Sequence, residues 1–223
     1  MTRTVGNRWA LAVCASSFAI GVYGLTRNLS AQLPPHLKDA GHWQFLTNLS
    51  LAYSLIVFGV GMAAHISKSA ALFNLKNLLH PIGMALEFVV AVVYWPLRIF
   101  FINLLVEDPS KFKLPLSTDL CIHLMPVVSL FIDYLAFSPP WTLSTPTALT
   151  VMAVLTAGYW WWLKQLIAPG GTYPYNFLNV DTEQERVVVF VAVGSVAFVS
   201  FLATKALYGV FVRDTKLQMK KRI

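Results

Sequence analysis

The sequence predicts an all-α integral membrane protein, a bundle of six transmembrane helices in a single domain covering residues 1–223. Of the 223 residues, 57% are hydrophobic and only 12% are charged. A soluble domain has about 25% charged residues, so half of the usual solvating surface is missing. The apolar residues form long runs, and a run of about 20 apolar residues crosses the hydrocarbon core as a helix. The loops between the runs are too short to separate domains.

Six segments are long and apolar enough to be spans. In chain order they are residues 9–25, 43–66, 81–106, 118–137, 147–168 and 187–212. Several runs have tryptophan near their ends, where amphipathic rings suit the membrane interface. The first run lacks a small-residue cleavage site and is followed directly by Thr26 and Arg27. We therefore expect a retained anchor and not a signal peptide.

The formal net charge is +7, and the densest basic cluster is the tail 213–223. Beside membrane spans, such a tail indicates contact with an anionic cytosolic leaflet and not with nucleic acid. The distribution of Lys and Arg predicts that both termini are cytosolic. The endoplasmic reticulum membrane is the expected location, with the plasma membrane as the alternative.

Ionisable residues inside predicted spans are functional candidates because charge at membrane depth is costly. Five residues belong to this class: Glu87, Arg98, Asp133, Lys164 and Lys205. The last three lie near span ends, where we expect their side chains to reach the interface. Arg98 follows the kink expected at Pro96, and either a carboxylate or an anionic lipid head group could pair with it.

Asp119 lies four residues before His123, so both side chains share one helix face. A carboxylate at this spacing could hold the imidazole in one tautomer; alternatively, a backbone carbonyl satisfies the histidine. In an antiparallel bundle, Thr47 and His123 lie ~6–8 Å below the same interface. Thr47 is either a nucleophile or a hydroxyl that packs helices.

The sequence lacks the G-x-S-x-G, H-E-x-x-H and P-loop motifs. We expect no metal or cofactor. The two cysteines, Cys14 and Cys121, lie in apolar runs, and we interpret them as buried hydrophobic residues.

Three stretches carry a resemblance to the androgen-induced / FAR-17a-like family. They are GHWQFLT at 41–47, DLCIH at 119–123 with Pro126, and YPYNFL at 173–178. The resemblance implies a multi-pass hydrolase that cleaves fatty acid esters of hydroxy fatty acids. It implies Thr47 as nucleophile and His123 as base. Asp119 and Leu120 stand where family members have Asn and a further His, so either the carboxylate improves the base or the substrate of this chain differs.

In this interpretation, a lipid substrate enters from the bilayer and Asp119 orients His123. Arg98 could meet a free carboxylate of the substrate. Asn48, next to the nucleophile but pointing about 100° away, and Tyr173, in a loop that could cover the site, are further candidates for substrate binding. The alternative is a non-enzymatic membrane protein: a small-molecule carrier with Glu87, Arg98 and Asp133 along its path, or a regulatory scaffold.

Overall fold

The structure is a computed structural model that describes residues 3–110 and 112–220, with side chains described as far as Val212. It contains no β-strand in these ranges. The predicted all-α fold is therefore confirmed. The side chains of the basic tail 213–223 and the loop residue Lys111 lie outside the described part.

Eight helices occur in the described part of the chain. They are α1 (Arg8–Leu29), α2 (Leu46–Ser67), α3 (Ala70–Phe100), α4 (Ile102–Leu105), α5 (Leu116–His123), α6 (Met125–Ile132), α7 (Thr145–Leu166) and α8 (Glu183–Lys220). A π-helical turn, Asp133–Phe137, continues α6. Short 3-10 turns occur at Pro35–Leu37, His42–Gln44 and Asn176–Leu178.

The described helices include four that are long and apolar enough to cross a membrane: α1, α2, α3 and α8 as far as Val212. A fifth span results if α5 and α6 with its π turn, bent by 42°, are counted as one. α7 has 22 residues but does not meet the same hydropathy criterion, because its threonines and the run Tyr159–Trp162 lower its mean hydropathy. The membrane bundle is confirmed, whereas the predicted count of six is not.

The bend between α5 and α6 lies at Leu124, which has φ −126° and ψ −48°. Pro126 explains it, because proline lacks an amide hydrogen and its ring clashes with the carbonyl one turn earlier. The carbonyl of His123 at this bend accepts a hydrogen bond from Trp95 Nε1 at 3.2 Å. The bend therefore fixes the end of α5, where His123 lies, against α3.

The third helix corrects the sequence prediction. The predicted span begins at residue 81, but α3 begins at Ala70, where the Ser69 hydroxyl accepts a hydrogen bond from the Leu72 amide. The first turns of α3 are rich in Ala, Leu, Asn and Lys, most of which are good helix formers. Lys76 lies between two predicted spans, in a segment expected to be a loop. Because that segment is helical, Lys76 is buried inside the bundle.

Asp133 also departs from prediction, because it does not reach the interface. Its side chain is 1% exposed and forms an ion pair with Lys76. His80 Nε2 lies 3.2 Å from the same carboxylate oxygen, and Lys76 Nζ donates to Ser138 Oγ at 2.7 Å. Because burying a charge without a partner is costly, the pairing with Lys76 explains how Asp133 can remain inside. Lys164 does reach the surface, where it lies 3.2 Å from Glu183.

Candidate functional site

Thr47 lies in the first turn of α2, which begins directly after the extended residue Phe45. Ahead of it, Gly41 adopts φ +68°, a conformation that L side chains rarely adopt. This glycine starts the turn His42–Gln44, and Gln44 Nε2 donates to the carbonyls of Leu37 and Gly41 at 2.7 and 2.8 Å. The loop that leads into the nucleophile candidate is therefore held by its own hydrogen bonds.

The polar residues at the start of α2 face the protein interior and not lipid. Thr47 is 6% exposed, and Asn48 and Ser50 are 0% exposed. The Asn48 amide donates to the His42 carbonyl and accepts from Asn28, each at 2.7 Å. Both ends of that amide are engaged in holding the loop, and Asn48 does not line the cavity described below. Its contacts favour a structural role over substrate binding.

His123 and Asp119 are brought together as the helical spacing predicted. His123 Nδ1 lies 2.8 Å from Asp119 Oδ1, and both side chains are buried. Arg98 Nε lies 3.7 Å from the other carboxylate oxygen. Of the two partners considered for Arg98, the structure places a carboxylate beside it. An ionised carboxylate only accepts hydrogen bonds, so Nδ1 is the nitrogen that carries the proton.

Tyr94 of α3 packs flat against the imidazole. The two ring centroids are 3.4 Å apart and the planes differ by only 5°. One face of His123 is therefore covered by an aromatic ring, while Asp119 holds its edge. Together these contacts leave the imidazole little freedom to rotate.

The loop between α7 and α8 places Tyr175 beside Thr47. The Tyr175 hydroxyl accepts a hydrogen bond from the Leu46 amide at 3.0 Å, and Tyr175 lines the same cavity as Thr47. Burial raises the pKa of this hydroxyl, so it keeps its proton at neutral pH and can donate it in a hydrogen bond. Tyr159 is also close, with its hydroxyl donating to the Gln44 carbonyl at 2.7 Å.

Thr47 opens onto an apolar cavity with about 850 Å³ of empty space, including its open mouth. α3, α7 and α8 supply most of the wall, and the connecting loops close one end. The polar end of the cavity is lined by Thr47, Tyr94, Tyr159 and Tyr175, and its apolar wall includes Met152 and Phe190. A wall of this composition suits hydrocarbon chains.

The structure places only the Thr47 half of the predicted site at the cavity, and the His123–Asp119 half lies behind Tyr94 in its wall. Tyr94 lines the cavity and stacks on His123, whereas His123 itself is not part of the lining. In the described part of the chain, no hydrogen bond links the Thr47 hydroxyl to the imidazole. The catalytic roles of Thr47, His123 and Asp119 accordingly stay predictions.

Tyr173 lies away from this cavity. The Arg186 guanidinium stacks on its ring at 4.3 Å, and both residues line a separate surface depression. Tyr175, two residues further on, lines the cavity in the position that the sequence predicts for Tyr173. The run YPYNFL gave a signal for an aromatic residue near the site but not for which of its two tyrosines turns inward.

The charges considered for a transport path do not share a cavity. Glu87 accepts a hydrogen bond from Ser54 at 2.8 Å, while Asp133 pairs with Lys76 and Arg98 lies beside Asp119. None of the three lines the Thr47 cavity. Among the described residues, no group of His, Cys, Asp and Glu is arranged to hold a metal ion.

Comparison with known proteins agrees with this architecture. The FAR-17a/AIG1-like protein family matches residues 10–209. A UPF0641 membrane protein of Saccharomyces cerevisiae is 32% identical over 219 residues, covering 91% of each chain. A UPF0641 membrane protein of Schizosaccharomyces pombe is 33% identical over 167 residues, covering 75% of each chain. No solved structure matches. The chain belongs to the FAR-17a/AIG1-like family of membrane proteins.

Proposed function

We propose that this protein is a membrane-embedded lipid ester hydrolase with Thr47 as nucleophile and His123 as general base. One observation carries the proposal. The buried Thr47 hydroxyl opens onto an apolar cavity whose wall residue Tyr94 stacks on the His123–Asp119 pair. Family membership supports the same chemistry, because the resemblance implies a threonine hydrolase. The names of the fungal relatives state only that they are membrane proteins.

The substrate class is the one that the family resemblance implies, fatty acid esters of hydroxy fatty acids, which also carry a free carboxylate. The cavity is compatible with it, because its apolar wall suits an acyl chain and its one polar end would hold the ester carbonyl next to Thr47. Arg98 is 35% exposed although it lies beside Asp119, so its guanidinium can still bind that carboxylate.

In the acylation step, His123 Nε2 takes the proton of Thr47 as the Thr47 oxygen attacks the ester carbonyl. The imidazolium then protonates the leaving hydroxy fatty acid, and water releases the acyl group from Thr47 in a second step. Asp119 accepts the hydrogen bond from Nδ1, which leaves Nε2 as the base. The transfer requires Nε2 and the Thr47 hydroxyl to meet, directly or through one water, when substrate fills the cavity.

Negative charge on the carbonyl oxygen needs donors. At the start of α2 the amide of Leu46 already donates to the Tyr175 hydroxyl, and those of Asn48 and Leu49 donate to the Phe45 carbonyl, so the Thr47 amide is the donor that we propose. The first amide hydrogens of a helix have no partner within it, and the helix dipole favours negative charge at that end. Thr47 lies in this first turn. The Tyr175 hydroxyl, which lies 3.0 Å from the amide of the neighbouring residue Leu46, would be a second donor.

The test is hydrolysis of a fatty acid ester of a hydroxy fatty acid by the purified full-length protein in lipid vesicles. We expect turnover by wild type, and none by folded Thr47→Ala or His123→Ala. Thr204→Ala is the matched control, because Thr204 is a buried threonine of α8 that lies outside the cavity. An inactive wild type, or a Thr47→Ala variant with wild-type activity, would instead favour the carrier or scaffold alternative.

We place the enzyme in the endoplasmic reticulum membrane with both termini in the cytosol. The basic residues near the chain ends support this orientation. Thr47 and Tyr94 belong to the end of the bundle away from the first turns of α3. In this orientation the catalytic end faces the lumen.

A further inference from the structure

A groove runs between α7 and α8 on the outside of the bundle. Its lining is almost entirely apolar and includes the exposed residues Ala153, Ala157 and Val191. α8 is one of the helices able to cross a membrane, so this groove faces the hydrocarbon region. A lipid chain is therefore the neighbour that it meets.

The groove and the Thr47 cavity lie on opposite sides of one thin wall. Four residues line both spaces: Met152 and Thr156 of α7, and Phe190 and Gly194 of α8. Because the same side chains contact both spaces, one layer of residues separates bilayer lipid from the cavity. The wall lies where α7 meets α8 and not in the centre of the bundle.

Gly194 and Thr156 approach each other closely in this wall. A Cβ atom added to Gly194 would lie 2.5 Å from Thr156 Oγ1, so a side chain at this position requires Thr156 to shift. The Thr156 hydroxyl donates to the Met152 carbonyl at 2.8 Å, so its polar group is satisfied within its own helix. The contact between Gly194 and Thr156 across the seam is thus a close approach that does not occupy the Thr156 hydroxyl hydrogen.

α7 is well placed to move at this seam. Along its length it packs mainly against α8. Near its C-terminal end it is held by Tyr159, which donates to the Gln44 carbonyl, and by Trp162, which donates to the Trp43 carbonyl at 2.9 Å. Its first turns are held as well, through Ala148 in the main core, so the opening that we consider is a local separation of α7 from α8 between these two ends.

We propose that an acyl chain of a bilayer lipid passes between α7 and α8 at the Gly194–Thr156 seam, and that the outer groove binds this chain before it reaches Thr47. The assignment of that lipid as an ester substrate rests on the proposed hydrolase function. The passage itself rests on the shared wall, the apolar lining on both sides and the close approach at Gly194.

A disulfide across the seam tests the passage. The added Cβ of Gly194 lies 3.3 Å from Thr156 Cβ, near the ~3.5–4.5 Å of natural disulfides. The Thr156→Cys/Gly194→Cys protein in vesicles is oxidised, and part of the sample is then reduced. Both forms are photolabelled with a diazirine-bearing stearic acid. We expect the oxidised form to lose labelling of α3 peptides in the cavity wall and to regain it with dithiothreitol. Each single-cysteine variant, treated identically, controls for Cys14 and Cys121.

Equal labelling of α3 in the oxidised and reduced forms would overturn the passage. Turnover of a vesicle-borne long-chain ester, measured on the same samples, separates this proposal from the hydrolase proposal. If labelling responds to the disulfide but no form turns over the ester, the passage is supported and the hydrolase assignment is contradicted. If the oxidised form turns over the ester at the full rate, the passage is contradicted and the hydrolase proposal is not.

A second variant keeps the test decisive if the disulfide does not form. Ala157→Trp fills the outer groove, and Ala157 does not line the inner cavity. We expect it to lower α3 labelling. Val154→Trp is the matched control, because Val154 lies on the same helix, is 64% exposed and lines neither space. Equal labelling in the two variants would contradict the proposal.

Discussion

Tyr173 and Tyr175 stand two residues apart in one loop and have different environments. The Tyr173 ring stacks on Arg186 at the surface. The Tyr175 hydroxyl accepts from the Leu46 amide at the start of α2 and lies beside Thr47. Tyr175 therefore holds the first turn of the helix that carries the nucleophile candidate, and the proposed mechanism uses its hydroxyl as a donor to the negative charge that would develop there.

Replacing Tyr175 with phenylalanine removes one donor from the site and leaves its ring. We expect Tyr175→Phe to lower kcat by about 10²-fold, the usual cost of losing an oxyanion donor. The rate of ester hydrolysis in vesicles, together with the unfolding temperature, measures this. Tyr173→Phe is the matched control and should keep the wild-type rate. Equal rates for the two variants would remove Tyr175 from the mechanism.

In the proposed mechanism, Asp119 acts on the reaction only through His123. Asp119→Asn keeps a polar group 2.8 Å from Nδ1 but loses the charge that stabilises imidazolium. We expect partial activity for Asp119→Asn and much lower activity for Asp119→Ala, measured as kcat with KM little changed. Wild-type kcat in Asp119→Ala would show that this carboxylate has only a structural role.

The spacing of Asp119 and His123 made their contact predictable, because residues four apart on a helix are neighbours. The stacking of Tyr94 on His123 was not predictable, since the two residues are on different helices and no local rule joins them. The same holds for the orientation of Tyr175. Local pairs can be inferred from a single sequence, whereas contacts that depend on how helices pack require the structure.

At the level of elements, α3 shows why the sequence prediction failed at one point. Its first turns contain Lys76 and polar residues, so a hydropathy-based boundary falls at residue 81. In the bundle those turns are helical, and the Lys76 charge is neutralised by Asp133. Lys76, in the segment predicted as a loop, and Asp133, predicted at the interface, form one buried ion pair. Neither residue indicates this pairing on its own.

Breaking this pair from one side leaves an uncompensated buried charge. We expect Lys76→Met to destabilise the protein by about 3 kcal/mol, whereas Lys76→Met/Asp133→Leu recovers most of that loss. Thermal unfolding in detergent measures both variants. Lys164→Met, at a largely exposed lysine, should be close to wild type. A double variant less stable than the single one would contradict the account.

For the whole molecule, the Lys76–Asp133 ion pair and the candidate chemistry lie at opposite ends. Lys76 and Tyr94 are both on α3, and 18 residues of helix separate them by ~27 Å. Arg3 joins the Lys76 end, donating to the carbonyls of Leu135 and Ser138 at 2.6 and 2.7 Å. The N-terminal segment thus packs at the end remote from Thr47. Cytosolic termini would place the site at the lumenal end.

This orientation predicts different accessibility for two engineered cysteines. Asp39→Cys lies in the exposed loop before Thr47, and Ser67→Cys at the other end of α2. In sealed microsomes, a membrane-impermeant maleimide should label Ser67→Cys directly and Asp39→Cys only after permeabilisation. The reverse pattern would show that the site faces the cytosol.

The central claim is that Thr47 is a nucleophile, and covalent capture tests it most directly. The full-length protein in vesicles is treated with a long-chain fluorophosphonate, and the modified residue is identified by peptide mass spectrometry. The account predicts a phosphonyl adduct on Thr47 in wild type, with loss of ester turnover in proportion to labelling, and no adduct in Thr47→Ala. An adduct on another residue that tracks the loss of turnover, or turnover by Thr47→Ala, would contradict it.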